Sequence, residues 1–122
     1  DLSENHIEHI DNFQFANFST ILSKLSLKSN KLSNIGFSNF MERLTELDLS
    51  YNNFYIITTT LLKKLLMLNV LRLDGNRLKY IDLNTFNSNL TRLTRIHLDK
   101  NRLNYLKPRT FSNLVNLEYI YL

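Results

Sequence analysis

The chain has 122 residues, a formal net charge of +4 and a hydrophobic fraction of 43%, with two glycines, one proline and no cysteine. So few glycines and prolines argue against a linker or a disordered stretch, and charges of both signs argue against a basic tail. No apolar run approaches the roughly 20 residues that span a bilayer, and we expect no secretion leader within these residues.

A repeated combination of leucine and asparagine runs through the chain from its first residues. The asparagines recur in steps of 25, 22, 24 and 25 residues, at Asn5, Asn30, Asn52, Asn76 and Asn101. Three residues before each asparagine stands a leucine, at Leu2, Leu27, Leu49, Leu73 and Leu98, and Leu122 begins a sixth period. A period of this length indicates the stacked coils of a solenoid rather than a compact globule.

Each period contains a short stretch in which apolar and polar residues alternate. Around the third asparagine, Leu47 and Leu49 alternate with Glu46, Asp48 and Ser50. A period of two is that of a half-buried strand, and stacking equivalent strands gives a parallel sheet with the leucines on its inner face. We therefore predict parallel strands centred near Leu27, Leu49, Leu73 and Leu98.

The phased asparagine follows each strand, at the point where the chain turns away. Its amide both donates and accepts hydrogen bonds, so it can satisfy backbone groups inside a tight bend. A buried backbone group without a partner costs about 1–3 kcal/mol, which explains a polar residue at a fixed place among leucines. We predict that all five phased asparagines are buried and form a ladder along the solenoid.

The second half of each period carries apolar residues that we assign to the opposite, convex side. They are Phe15, Phe18 and Leu22, then Leu62, Leu65 and Leu68, then Phe86, Leu90 and Leu93, and finally Phe111, Leu114 and Leu117. The leucine-rich stretch 61–71 fits a short convex helix. The period between the second and third asparagines is short, and its Phe37, Phe40 and Leu44 miss the usual offsets, so we expect a local irregularity there.

The repeat L-x-x-L-x-L-x-x-N-x-L resembles the leucine-rich repeat family over the whole chain. The phenylalanine and leucine spacing that follows is similar to the extracellular class of about 24 residues, whose best-known members are Toll-like receptor ectodomains. The resemblance implies an α/β solenoid, a right-handed horseshoe segment with a concave parallel β-sheet and a mostly irregular or short-helical convex side. It implies a single array over residues 1–122, with about five repeats.

The absence of cysteine leaves the ends of this array open to interpretation. Extracellular members of the family usually carry cysteine-bonded caps, and this chain has no cysteine. We favour a piece of a larger ectodomain that lacks both caps. Two alternatives are a reduced intracellular protein with other caps and a chain that dimerises through its ends. A cysteine-free interior suits all three, so the cysteine count does not decide the redox compartment.

The phase of the repeat also predicts which strand residues face solvent on the concave side. Arginine and tyrosine most often anchor protein interfaces, and Arg, Tyr and His gather toward the C-terminal strands. A mosaic of acids and bases favours a protein partner over a polyanion, so we expect no nucleic acid partner. The predicted partner-binding residues are Asp48, Arg72, Asp74, Arg95, His97, Asp99, Tyr119 and Tyr121. The plain alternative is that each is an ordinary solvated strand residue.

Finer features are predicted on this surface. Asp48 beside Arg72 would form an internal pair worth less than about 1 kcal/mol. His97 among charged neighbours could make binding depend on pH between about 5 and 7. Asp74 and Asp99 would face each other about 5 Å apart across adjacent strands. Calcium or a basic partner could neutralise them, but two solvated carboxylates is the simpler interpretation, and we predict no metal site.

Motifs for other chemistry are few. His6, Glu8 and His9 lie close in sequence but do not form H-E-x-x-H on a helix. We predict no catalytic residues and no cofactor. Asn17 and Asn89 begin N-x-S/T glycosylation sequons in convex or flanking segments, where glycans would leave the concave face free.

The sequence is therefore interpreted as a binding module from the ectodomain of a Toll-like or related receptor, of innate immune or adhesion type. The resemblance, rather than the spacing, implies recognition of a protein or microbial ligand on the concave face, with receptor dimerisation as an option. We expect an extracellular or cell-surface location and no membrane contact from this segment. The alternative is a cytoplasmic scaffold or adaptor that uses the same sheet to hold its partners.

Overall fold

The computed structural model describes residues 1–86 and 89–122 as a stack of coils. Its strands are β1 (Lys24–Ser26), β2 (Glu46–Asp48), β3 (Val70–Arg72), β4 (Arg95–His97) and β5 (Tyr119–Tyr121). Within the described ranges, helix is limited to α1 (Thr59–Leu62) and one 3-10 turn at Ala16–Phe18. The long segments between strands are therefore mostly irregular, as the short repeat predicts.

The five strands form one parallel sheet in the order β1-β2-β3-β4-β5. Neighbouring strands pair in register, which aligns the central residues Leu25, Leu47, Leu71, Ile96 and Ile120. Each crossing segment therefore brings the chain back beside the strand it has just left. This arrangement confirms the predicted solenoid with a parallel sheet and little helix.

The predicted strand centres are wrong by two residues. Leu27, Leu49, Leu73 and Leu98 each lie two residues after the observed centre. The residue before each phased asparagine has a positive φ of 54° to 66°, at Ser29, Tyr51, Gly75 and Lys100. This left-handed conformation turns the chain out of the extended region, so the regular strand ends early. Coil-to-coil bonds nevertheless continue past it, as from Leu27 N–H to the Asp48 carbonyl (2.8 Å).

The first coil follows the same path without forming a regular strand. The N–H of Leu2 donates to the carbonyl of Ser26, and the N–H of Glu4 donates to that of Lys28, both at 2.9 Å. Glu4 has the same positive φ, 57°, as its equivalents in later coils. The N-terminal segment thus stacks against β1 as one more coil.

The apolar positions of the pattern form one continuous core. The strand-end leucines Leu27, Leu49, Leu73 and Leu98 are at most 1% exposed, and so are Leu32, Phe54 and Leu78 after the turn. Burying such a side chain contributes about 1.5–3 kcal/mol. The equivalent positions in the first and last periods, Ile7 and Leu103, are only partly buried. Packing is therefore tightest where a coil has a neighbour on both sides.

The convex side confirms part of the predicted apolar pattern. Leu62, Leu65 and Leu68, and likewise Phe86, Leu90 and Leu93, are at most 1% exposed. The helix predicted within 61–71 is shorter and earlier than expected, because α1 spans only Thr59–Leu62. The predicted core position Phe18 is 49% exposed. It lies in the 3-10 turn Ala16–Phe18 and is not part of the continuous core.

The short period between Asn30 and Asn52 buries different residues from those at the usual offsets. Phe37 is buried, and its ring centroid lies 5.9 Å from that of Phe15 in the preceding coil. Met41, four residues later, is 1% exposed, whereas Phe40 is 49% exposed. The Phe37 to Met41 spacing matches that of Phe86 to Leu90, so Met41 rather than Phe40 fills the core position of this segment. The predicted irregularity is confirmed, with this correction.

The asparagine ladder joins consecutive coils. The Oδ1 atom of Asn52 accepts the N–H of Leu32 in the preceding coil at 2.9 Å. Its Nδ2 atom donates to the carbonyl of Leu27 in that coil (2.9 Å) and to that of Leu49 in its own coil (3.2 Å). The same pattern of contacts recurs at Asn30, Asn76 and Asn101. Each amide therefore satisfies backbone groups of two coils.

The prediction that all five asparagines are buried holds for three of them. Asn30, Asn52 and Asn76 are 8%, 5% and 5% exposed. Asn5 is exposed and donates only to the carbonyls of Leu2 and Ser3 in its own coil. Among the described residues, no coil lies on the far side of Asn5 from β1. Asn101 is half-buried.

Candidate partner-binding surface

The residues on either side of each strand centre form a continuous surface, here called the sheet face. The in-register pairing arranges it in two rows, Lys24, Glu46, Val70, Arg95 and Tyr119, and then Ser26, Asp48, Arg72, His97 and Tyr121. A third row follows with Lys28, Asp74 and Asp99. These side chains are exposed or half-buried, while the strand centres from β1 to β4 are buried. All eight predicted partner-binding residues lie on this surface, which the sequence predicted to be concave.

One residue assigned to this surface from its phase does not reach it. Ser50 alternates with the inward-facing Leu47 and Leu49 and is therefore expected to face solvent, but it is only 2% exposed. Its backbone N–H and its hydroxyl both donate to the Asp48 carboxylate, at 2.9 Å and 2.5 Å. The side chain therefore folds under Asp48 instead of standing beside Asp74.

The C-terminal strands carry two ordered contacts between rings and cationic or imidazole side chains. The His97 ring stacks on the Tyr121 ring with centroids 4.3 Å apart and an angle of 11° between planes. The Arg95 guanidinium carbon lies 5.5 Å from the centroid of the Tyr119 ring. Cation–π contacts at exposed sites are worth about 0.5–1 kcal/mol. Arg95, His97, Tyr119 and Tyr121 thus form one patch, called the aromatic patch.

The predicted pairing of Asp48 with Arg72 is not an ion pair in the structure. Their strands are in register, but the Asp48 carboxylate binds Ser50. Within residues 1–86 and 89–122, the ion pairs shorter than 4 Å are Lys24–Glu46 at 2.8 Å and Lys31–Glu8 at 3.5 Å. The phase of the repeat shows which residues are neighbours, but it does not show which nearby donor forms the hydrogen bond with a carboxylate.

Partial burial favours the neutral form of His97. Burial lowers its pKa below 6.5, and the neighbouring cation Arg72 lowers it further. Asp74, Asp99 and Asp48 act in the opposite direction without reversing the shift. Its titration therefore lies on the acid side of 6.5, and the neutral imidazole is the main form at pH 7.

Asp74 and Asp99 lie side by side, as the phase of the repeat predicts. Burial raises the pKa of Asp74, a hydrogen bond from the backbone N–H opposes this, and the nearby carboxylates of Asp99 and Asp48 raise it again. The two acids belong to consecutive coils whose backbones are bonded at this point, from Gly75 N–H to the Asp99 carbonyl (3.0 Å). The acidic pair is therefore held close by the backbone despite its repulsion.

A neighbouring structural feature was not among the predicted site residues. The Tyr51 ring lies over Gly75, where an added Cβ would approach the ring to 2.7 Å. The Nζ atoms of Lys28 and Lys100 lie 5.7 Å and 5.4 Å from the ring centroid. Lys100 also donates to the Tyr51 hydroxyl at 2.8 Å, which raises the pKa of Lys100. The sequence signal was the residue that precedes each phased asparagine, which is Tyr51 in one repeat and Gly75 in the next.

The two predicted glycosylation sites lie outside the strands. Asn17 is exposed within the 3-10 turn, and Asn89 is exposed in a turn of a later crossing segment. Ser19 of the first sequon is only 8% exposed. Use of either sequon stays a prediction. No helix in the described ranges has the length and apolarity that crossing a bilayer requires.

These features define a class of protein: a solenoid of short stacked coils whose parallel strands present varied residues on one face. Two sequence profiles described as leucine rich repeat match the chain, one over residues 43–65 and one over residues 66–122. The coils before residue 43 repeat the same asparagine bonds and strand register. The chain belongs to the leucine-rich repeat family, whose members generally act as non-catalytic modules of protein–protein interaction. No curated protein sequence matches the chain significantly.

Proposed function

We propose that the sheet face binds a protein partner and that the aromatic patch, together with Arg72, is the centre of the contact. The observation that carries this proposal is the pre-ordering of the patch. His97 is stacked on Tyr121, and Arg95 lies over Tyr119. Immobilising a flexible side chain on binding costs about 0.5–1.5 kcal/mol. Side chains that are already packed against each other lose less conformational entropy when a partner binds.

The composition of the patch supports a protein partner. Tyrosine and arginine are the types that dominate the energetic centres of protein interfaces. The flanking acids Asp48, Asp74 and Asp99 would repel a polyanion, and they would discriminate among protein surfaces by charge. The expected partner surface places an acidic group opposite Arg72 and Arg95 and an apolar group over the tyrosine rings.

The more specific part of this proposal is that the chain comes from the ectodomain of a Toll-like or related receptor and recognises a protein or microbial ligand. Its support is the 22-to-25-residue spacing and the convex phenylalanine pattern, in which the Phe86 and Phe111 centroids lie 5.3 Å apart. The exposed sequons at Asn17 and Asn89 agree with passage through a secretory compartment. An extracellular or cell-surface location and receptor dimerisation belong to the same proposal.

A charge-reversal experiment tests the location of the binding surface. The immobilised protein captures a partner from a secreted or cell-surface extract, and mass spectrometry identifies it. Its dissociation constant is then measured for each variant. Arg72→Glu combined with Arg95→Glu should weaken binding at least tenfold, which is about 1.4 kcal/mol.

A matched control keeps the net charge change the same. Arg43 and Arg92 are exposed, lie in crossing segments and stand at equivalent places, one residue before the buried Leu44 and Leu93. Arg43→Glu combined with Arg92→Glu should leave the dissociation constant within twofold of the original value. If the control pair weakens binding and the sheet-face pair does not, the surface has been assigned to the wrong side. Lys64 is unsuitable as a control because its Nζ atom binds the Ser38 carbonyl.

A further inference from the structure

Three side chains with metal-ligand chemistry converge on the sheet face. One ligand atom from each of Asp74, His97 and Asp99 lies within 4.8 Å of the other two, and all three residues are half-buried. The phase of the repeat predicts the acidic pair, but it does not predict that an imidazole joins it. His97 lies in β4, and Asp99 follows it by two residues on the same side of the chain.

The backbone holds these donors in place. The N–H of Leu73 donates to the carbonyl of His97 at 2.9 Å, and the N–H of Gly75 donates to that of Asp99 at 3.0 Å. Asp74 is therefore fixed from both flanks against the next coil. On its far side the His97 ring is stacked on Tyr121. Only His97 lies within a strand; Asp74 and Asp99 lie in the turns that follow β3 and β4, and the backbone bonds between the coils hold those turns.

The electrostatics of the cluster favour an added cation. Within residues 1–86 and 89–122, neither Asp74 nor Asp99 forms an ion pair, because the two pairs present lie elsewhere. The nearby Asp48 adds a third negative charge. Two cations oppose this charge: Arg72, in the same row as His97, and Lys100, which interacts with Asp74 and Asp99.

The geometry points to a divalent-metal site on the sheet face, with Asp74, His97 and Asp99 as ligands for Zn²⁺ or an ion of similar preference. Zinc bonds of about 2.0 Å in a tetrahedron place the donors roughly 3.3 Å apart. The donors, which now lie within 4.8 Å of one another, would have to move closer together to bind the ion in this way. Imidazole selects transition ions over calcium and magnesium, which prefer oxygen ligands alone.

Three protein ligands leave at least one coordination position for solvent. Structural zinc sites use four protein ligands, whereas open sites keep a position for water or another group. That position faces the surface of the solenoid, because all three ligand residues are only half-buried. A carboxylate or imidazole from another molecule could occupy it. The metal site does not depend on the proposed protein partner, and either can fail while the other holds.

Isothermal titration calorimetry tests the site with Zn²⁺ alone. The untagged chain is treated with a chelator, dialysed and titrated at pH 7. We expect one Zn²⁺ bound per chain, and binding at least tenfold weaker in His97→Gln and in Asp99→Asn. The control is the double variant His6→Gln with His9→Gln, which removes the other two of the three histidines in the chain. It should bind Zn²⁺ as tightly as the original protein.

A second measurement needs no variant. In ¹⁵N-labelled protein, Zn²⁺ should shift the ring nitrogen resonances of His97 and leave those of His6 and His9 in place. Thermal melts without metal check that each substituted chain still folds. The proposal is overturned if millimolar Zn²⁺ gives no binding at one ion per chain. It is also overturned if His97→Gln binds normally, or if the signals of His6 and His9 shift instead.

Discussion

At the residue scale, the side chain of each ladder asparagine forms hydrogen bonds with backbone groups of two consecutive coils, at the strand end and in the turn that follows. Asn76 shows this most completely. Its Oδ1 atom accepts the N–H of Phe54 at 3.0 Å, and its Nδ2 atom donates to the carbonyls of Leu49 and Leu73 at 2.9 Å and 3.0 Å. All of these groups are buried. An apolar side chain of similar size would leave them without partners.

Replacing this asparagine therefore has a specific expected cost. Asn76→Leu should lower the free energy of unfolding by about 1–3 kcal/mol, because the Phe54 N–H and the Leu49 carbonyl lose their partner in the interior. Asn69→Leu is the matched control, since Asn69 is exposed and lies outside the ladder. Urea denaturation measures both variants. Equal midpoints with equal denaturant slopes would remove the structural role assigned to the ladder.

At the element scale, the crossing segments show how repeats of unequal length share one core. The short segment after Asn30 keeps the four-residue spacing of its two core side chains and forms no helix. Its polar contact with the next coil comes from Lys64, whose Nζ atom lies 4.5 Å from the Phe40 ring centroid and 3.2 Å from the Ser38 carbonyl. The flexible side chain of Met41 fills the core beneath this shorter segment.

Two adjacent residues of this segment should respond very differently to truncation. Met41→Ala should lower the free energy of unfolding by about 2–5 kcal/mol, since the side chain is buried in the core. Phe40→Ala should cost much less, although phenylalanine is the larger residue, because its ring lies at the surface. Thermal or urea unfolding compares the two. A larger loss for Phe40→Ala would mean that Phe40, and not Met41, is the core residue of this segment.

At the scale of the whole molecule, stacked coils separate a sheet face with varied residues from crossing segments that carry the two sequons. Expression through a eukaryotic secretory pathway should add glycans at Asn17 and Asn89. Glycosidase treatment should then lower the mass in two steps, and Asn17→Gln or Asn89→Gln should remove one step each. A secreted, folded chain without any glycan would contradict the prediction for both sites and weaken the case for an ectodomain.

Features locked to the repeat could be predicted from the sequence because every coil repeats the same physical constraint. The leucine burial, the parallel register and the asparagine bonds are of this kind. Features that depend on one particular neighbour could not be predicted. Phase alone does not show that Ser50 captures the Asp48 carboxylate or that His97 joins Asp74 and Asp99. The strand centres were misplaced because the left-handed turn residue, often not glycine, gives no compositional signal.

The central claim is that recognition takes place on the sheet face, and hydroxyl-radical footprinting tests it most directly. The chain carries its own controls, because Tyr55, Tyr80 and Tyr105 are 62%, 54% and 62% exposed but lie outside the strands. Tyr119 and Tyr121 on the sheet face are 50% and 44% exposed. Oxidation of each tyrosine is measured by mass spectrometry with and without the captured partner. We predict protection of Tyr119, Tyr121 and His97 and unchanged oxidation of the three control tyrosines. Protection of the control tyrosines with an unaffected aromatic patch would contradict the account.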